Sequence, residues 1–195
     1  MSDPIEVLDF WLGEIGPEGW YLGSPEIDDE IAHRYGDLWE ALASGGLEHW
    51  IDGPAPTLAY LVVADQFSRN IHRGSGRAFD TDARARDAAY RAIAAGWDLM
   101  APAPERQFFY LPLEHSEKMR DQDEAVAMMS QRMPDHPEQI LHAKVHREII
   151  AKFGRFPFRN AALGRENTPE EQEFLNAGGY GPFVEAYRAS HADNA

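Results

Sequence analysis

The segment DQFSRNIHRG, Asp65–Gly74, sets a carboxylate, two amides, an imidazole and two guanidinium groups directly after the apolar run LAYLVVA. Charged groups beside a core are costly unless they pair or serve a ligand. Helical spacing places Asp65 and Arg69 at i and i+4, on the stripe that continues Leu58, Leu61 and Val62. Two readings fit that spacing. Either the pair is a partly buried salt bridge fixing a helix end, or Asp65 orients Arg69 so that its guanidinium fork meets a carboxylate or phosphate. Gln66, Asn70 and Arg73 would then complete a polar pocket at the end of a buried helix.

A second set of groups lies in PEQILHAKVHREIIAKF. His142 and His146 stand at i and i+4, inside the arc that Leu141, Val145, Ile149, Ile150 and Phe153 make on a helical wheel, with Lys144, Arg147, Glu148 and Ala151 opposite. Two such histidines can chelate a metal if a third ligand joins them, and Glu114, His115 or Glu117 of YLPLEHSE could do so. The HExxH pattern is not satisfied, since Ala143, Lys144 and Val145 separate the histidines, and no metal or other cofactor is assigned. An acid–base reading takes His115 or His146 as general base, Glu117 as its orienting carboxylate and an arginine as oxyanion stabiliser. The turn GRFPFRN adds Arg155, Arg159 and Asn160, a pattern that echoes Arg69-Asn70. If both segments meet, they make a cationic, amide-rich pocket.

The elements that must carry these groups are helical. Asp3-Pro4 opens a helix to Leu12 with Gly13 after it, and Ser24-Pro25 opens another that runs to Ser44 with Ile27, Ile31, Tyr35, Leu38, Trp39 and Leu42 on one face. The run from Thr57 to about Phe67 is apolar on all sides, which marks a central helix, although a buried strand has the same composition. Asp80 or Thr81 caps an Ala-rich helix that closes at Gly96, and a short helix covers Glu105–Tyr110. Further helices are expected over Ser116–Arg132, Pro137–Phe153, Thr168–Ala177 and Pro182–Ser190. About eight or nine helices with short loops and no linker predict one all-α domain over residues 1–195, built of antiparallel pairs.

Composition narrows the functions. The absence of cysteine removes disulfides and thiolate chemistry, and 33 acids against 18 Lys and Arg give a net charge of −15, which opposes nucleic acid and an anionic membrane surface. No apolar run approaches the roughly 20 residues that span a bilayer, and MSDPIEVLDFW lacks the basic start of a signal peptide, so a cytoplasmic protein is expected. Cations cluster all the same: Lys144, Arg147, Lys152, Arg155, Arg159 and Arg165 stand within residues 142–165 against the single acid Glu148. No phosphate loop, GxSxG elbow, haem motif or EF-hand occurs, and the Trp and Met residues read as core.

VLDFWLG from Val7, DQFSRNIHRG, FFYLPLEHSE, HREIIAKFGRFPFRNAALGR and TPEEQEFL to Leu175 occur in this order. Through these segments the chain resembles the bacterial family called domain of unknown function 924. The resemblance implies an all-helical fold similar to tetratricopeptide-repeat superhelices and no established activity. Its polar motif residues map onto Asp65, Gln66, Arg69, Asn70, His115, Ser116, Glu117, His146, Arg155, Arg159 and Asn160. Ser68 replaces the proline of the family's DQFPRN, and Phe158 replaces the histidine of its FPHRN.

The reading that follows is a site for a small anionic ligand, a carboxylate or phosphate, or for an acidic peptide end. Asp65, Gln66, Arg69, Asn70, Arg73, His115, Ser116, His142, His146, Arg155, Arg159 and Asn160 would form it, with His115, Glu117 and His146 the candidates for catalysis. The alternatives are a hydrolase or lyase and a helical protein-interaction module; oligomeric state is left open.

Overall fold

Asp3 accepts the backbone N–H groups of Ile5 and Glu6, and Glu6 returns a bond to the Asp3 N–H, so a full capping box starts α1, Pro4–Leu8. The computed structural model to which this helix belongs describes residues 2–191. The helix does not stop at Gly13 as its glycine suggests. It widens into a π-helical segment, Asp9–Ile15, and breaks at Gly16, whose φ of +65° lies in the left-handed region that favours glycine. Short α2, Gly16–Gly19, precedes α3, Pro25–Ala43, which the Ser24 side chain caps.

The apolar run is α4, Pro54–Leu61, and it too continues as a π-helical segment, Val62–Phe67, before α5, Ser68–Ile71. Every residue from Thr57 to Ser68 is buried. A strand is thereby excluded, and the chain stays helical well past Asp65 and Arg69. Phe67 is the joint of this core: its ring lies 4.9 Å from Tyr35, 5.5 Å from Trp11 and 6.1 Å from Phe10, so the two π-helical segments meet through aromatic contacts.

α6, Asp82–Ala95, packs on α4. Thr81, expected among the capping residues of α6, makes no cap bond with its side chain. Its buried hydroxyl donates instead to the Ala64 carbonyl at 2.6 Å and lies 3.2 Å from Ser68 Oγ, within the wide turn of the central helix. The expected helix at Glu105–Tyr110 is a 3₁₀ segment, Glu105–Phe109, and α7, Leu111–Glu114, follows.

The chain divides into two compact units, Met1–Pro112 and Leu113–Ala195. In the second, α8, Met119–Arg132, and α9, Pro137–Phe153, make a helical hairpin, and the short connection sets them antiparallel. Ser116 lies outside α8, in the turn before it. Gly154, φ +70°, ends α9 by donating its N–H to the Ile150 carbonyl. α10, Pro169–Asn176, has its own capping box from Thr168 and Glu171, and α11, Tyr180–His191, packs on α9. Val145, Ile149, Ile150, Phe156, Phe174 and Val184 form the core here. All regular elements among the described residues are helical.

Candidate functional site

In the first unit the charged end of the central helix is compensated from within. Asp65, 1% exposed, accepts from Gln66 Nε2 at 2.6 Å and pairs with Arg69 Nη1 at 3.1 Å; the same Nη1 lies 3.1 Å from Asp82 Oδ1 and donates to the Asp65 carbonyl. One guanidinium thus faces two carboxylates. Asn70 donates to Asp28 Oδ1 at 2.7 Å, and Arg73 grips both Asp28 oxygens at 2.5 and 2.8 Å. Burial alone would raise the Asp28 carboxyl, but the bonds from Arg73 and Asn70 and the Arg73 charge outweigh it and hold it below the usual aspartate range. Sequence spacing showed the Asp65–Arg69 pair; Asp28 and Asp82 come from α3 and α6.

The second unit closes its turn cations in the same way. Arg155 donates to both oxygens of Glu171 at 2.6 and 2.7 Å, and Asn160 donates to Asn167 at 2.8 Å and to Glu171 at 3.2 Å. The hydrogen bond from Arg155 lowers the Glu171 carboxyl to about 2 against the opposing effect of burial, with help from the Thr168 N–H, the Arg155 charge and Asn160. Glu117, assigned from sequence as the orienting partner of His115, instead receives Arg165 on both oxygens at 2.7 and 2.9 Å and the Phe156 N–H at 2.9 Å. Burial opposes but does not cancel these bonds, and the Glu117 carboxyl is held low. Ser116 donates to Asp121 at 2.6 Å and accepts the Lys118 N–H, a turn contact at the start of α8.

The carboxylate that does meet an imidazole is Glu114. Its side chain is buried, the residue being 2% exposed, and Oε1 lies 2.8 Å from His146 Nδ1. The same nitrogen is 2.9 Å from the His142 carbonyl, one helical turn back. Two acceptors at Nδ1 place a proton there, which leaves Nε2 as the free end of the ring; among the described residues it has no hydrogen-bond partner. Glu114 Oε2 is buried and likewise has none. Gln122 anchors the Glu114 backbone by donating to the carbonyls of Glu114 and Ser116 at 2.5 and 2.6 Å.

Around this dyad stand His142, His115 and several aromatic rings. Tyr180 Oη lies 2.7 Å from His142 Nδ1 and 3.2 Å from His146 Nδ1, and its ring centroid is 4.8 Å from that of His146. The His115 ring is 6.0 Å from His146, and Phe156 is 5.5 Å away on edge. The Arg159 guanidinium lies over the Phe156 ring, 4.6 Å from its centroid. Phe158, 42% exposed, stacks on Phe156 at 5.2 Å and meets Tyr180 at 6.3 Å, so an apolar ring borders the imidazoles. Burial pushes His142 down, against the pull of Glu114.

Sequence reasoning missed Tyr180, which lies 34 and 38 residues from the two histidines with nothing in its local pattern to mark it. It weighed Glu114 only as a metal ligand, and among the described residues no group of three His, Cys, Asp or Glu is placed to hold a metal ion. Among the described residues no helix is long and apolar enough to cross a membrane.

The model of a family described as bacterial protein of unknown function, DUF924, matches residues 7–179. A solved structure, that of the protein of unknown function ATU0120 from Agrobacterium tumefaciens, superposes with a TM-score of 0.84 at 36% identity, covering 90% of this chain and 97% of that one. Among curated proteins none matches.

Proposed function

The chain belongs to the DUF924 family of bacterial proteins of unknown function, and from that premise we propose that its second unit is an acid–base site for a small anionic substrate. The observation that carries the proposal is the buried Glu114 carboxylate at 2.8 Å from His146 Nδ1, which leaves Nε2 uncommitted. In this reading Glu114 fixes the ring and its tautomer. Nε2 takes a proton from a substrate hydroxyl or a water, and the imidazolium so formed is stabilised by the carboxylate behind it. The same imidazolium favours a carboxylate or phosphate substrate over a cation. A hydrolase or lyase uses both steps: the proton removed by Nε2 returns to the leaving group. Arg69, Arg73 and Arg155 contribute no anion contact in this reading, because each already faces an internal carboxylate.

The test is a turnover screen of the purified chain on small phosphate and carboxylate esters and hydroxy acids. His146→Gln should lower turnover by about 10²–10⁴-fold. Glu114→Gln should lower it less and change its pH profile. A ligand at 100 times its dissociation constant should also add about 2.7 kcal/mol of stability to the wild type. Turnover and anion binding that are unaltered in His146→Gln would overturn the reading.

A further inference from the structure

Gly178 and Gly179, with φ of +99° and +67°, turn the chain between α10 and α11 and set Tyr180 at the start of α11. Their N–H groups donate to the Leu175 and Phe174 carbonyls, which ties the turn to α10. The Tyr180 hydroxyl so placed lies between two imidazoles of α9, 2.7 Å from His142 Nδ1 and 3.2 Å from His146 Nδ1. His146 Nδ1 carries a proton, because the Glu114 carboxylate and the His142 carbonyl both face it. A hydroxyl has one proton to give; with an N–H on its His146 side, it turns that proton to His142 Nδ1, at the shorter distance. Burial disfavours a charged His142, and a neutral ring that accepts at Nδ1 holds its own proton on Nε2. Both Nε2 atoms lack a partner among the described residues, and neither is shut away from solvent, unlike Glu114 Oε2.

We propose that Tyr180 is a positioning residue that holds His142 in the Nε2–H tautomer, so that one turn of α9 offers a donor imidazole, His142, and an acceptor imidazole, His146, to a small 2-hydroxycarboxylate. The inference rests on the acid–base reading of His146 and narrows its substrate. Residues four apart on a helix are neighbours, with about 5–6 Å between their Cβ atoms, so the two rings can serve adjacent groups of one small molecule. The substrate hydroxyl donates to His146 Nε2, the atom that takes its proton, while the carboxylate accepts the His142 Nε2–H. A plain carboxylate uses only the donor ring, and a plain alcohol only the acceptor.

Long-range proton–nitrogen NMR of the full chain carrying nitrogen-15 histidine, at pH 8, reads the tautomer of each ring without any need for turnover. Nε2–H is expected at His142 and Nδ1–H at His146. Tyr180→Phe removes only a hydroxyl; part of the His142 population should then cross to Nδ1–H, while His146 keeps its form against Glu114. Sodium lactate, sodium propanoate and 2-propanol are next titrated at matched ionic strength and followed on the Nε2 signals. Lactate should shift both signals, saturably, and bind about tenfold tighter than either of the others, and His142→Leu should weaken it by a similar factor. Nδ1–H at His142 in the wild type, tautomers indifferent to Tyr180→Phe, or lactate that binds no tighter than propanoate or equally in His142→Leu overturns the proposal. The two failures are distinct: Nε2–H at His146 removes the acid–base reading as well, whereas Nδ1–H at His142 with turnover still lost in His146→Gln removes this inference alone.

Discussion

The end of the central helix and the imidazole cluster of the second unit draw on similar chemistry, acids beside potential cations at the edge of a core, yet they are finished differently. Around Asp65 the acids match or outnumber the cations: Arg69 faces Asp65 and Asp82, and Arg73 faces Asp28. Around Glu114 the basic partner is a histidine bound through one nitrogen, with the other unused. An arginine cannot give up its charge, so once buried it must face carboxylates, as Arg69 faces Asp65 and Asp82 even though its Nη2 makes no hydrogen bond. A histidine can exist neutral, so it tolerates a half-satisfied position and keeps one nitrogen for a ligand. A cluster of charged residue types is therefore a site only to the extent that its pairing is incomplete.

The largest effect should come from Asp65→Ala. It removes one of the two carboxylates that face a buried guanidinium and strands the Gln66 amide, and urea unfolding should show a loss of about 3–5 kcal/mol. The matching change Glu114→Ala should cost only about 1–2 kcal/mol, because an imidazole, unlike a guanidinium, need not carry a charge. Equal losses would erase the distinction between the two regions.

A smaller effect tests the closed pair within the second unit. The Glu171 carboxyl is lowered from 4.5 to about 2, so its contribution is present above pH 4.5 and is lost as pH falls through that window. Glu171→Gln should be about 1–3 kcal/mol less stable than wild type at pH 7. That gap should shrink as pH approaches 2, as followed by denaturant midpoints at each pH.

The smallest effect sharpens the account of the imidazoles. His142 is pushed below its ordinary 6.5 by burial, so folding favours the neutral ring; that contribution is complete above pH 6.5 and declines as pH drops beneath it. His142→Gln should flatten the pH dependence of stability in this range by less than about 1 kcal/mol. An unchanged slope would show that His142 is as solvated as a histidine in the unfolded chain.

Much of the fold was legible because its signals are local. Asp3, Ser24 and Thr168 cap the helices that follow them, and the Pro137–Phe153 helix has the ends that Pro137 and Gly154 announce. The π-helical stretches were not legible. They coincide with the contacts of Phe67 with Phe10, Trp11 and Tyr35 and with the Thr81 hydroxyl bond to Ala64, which join residues from separate elements. Asp65–Arg69 sits at helical spacing, but Arg73 finds Asp28 from 45 residues away, and Arg155 finds Glu171 from 16.

By itself, then, the sequence determined that the chain is helical, where most helices begin and end, and which stretch lies at the centre, since capping and hydrophobic periodicity act over a few residues. The tertiary structure alone decided which charges are neutralised and which ring nitrogen stays open. Ion pairs and hydrogen bonds act through space at a few ångströms, and residues far apart along the chain supply them.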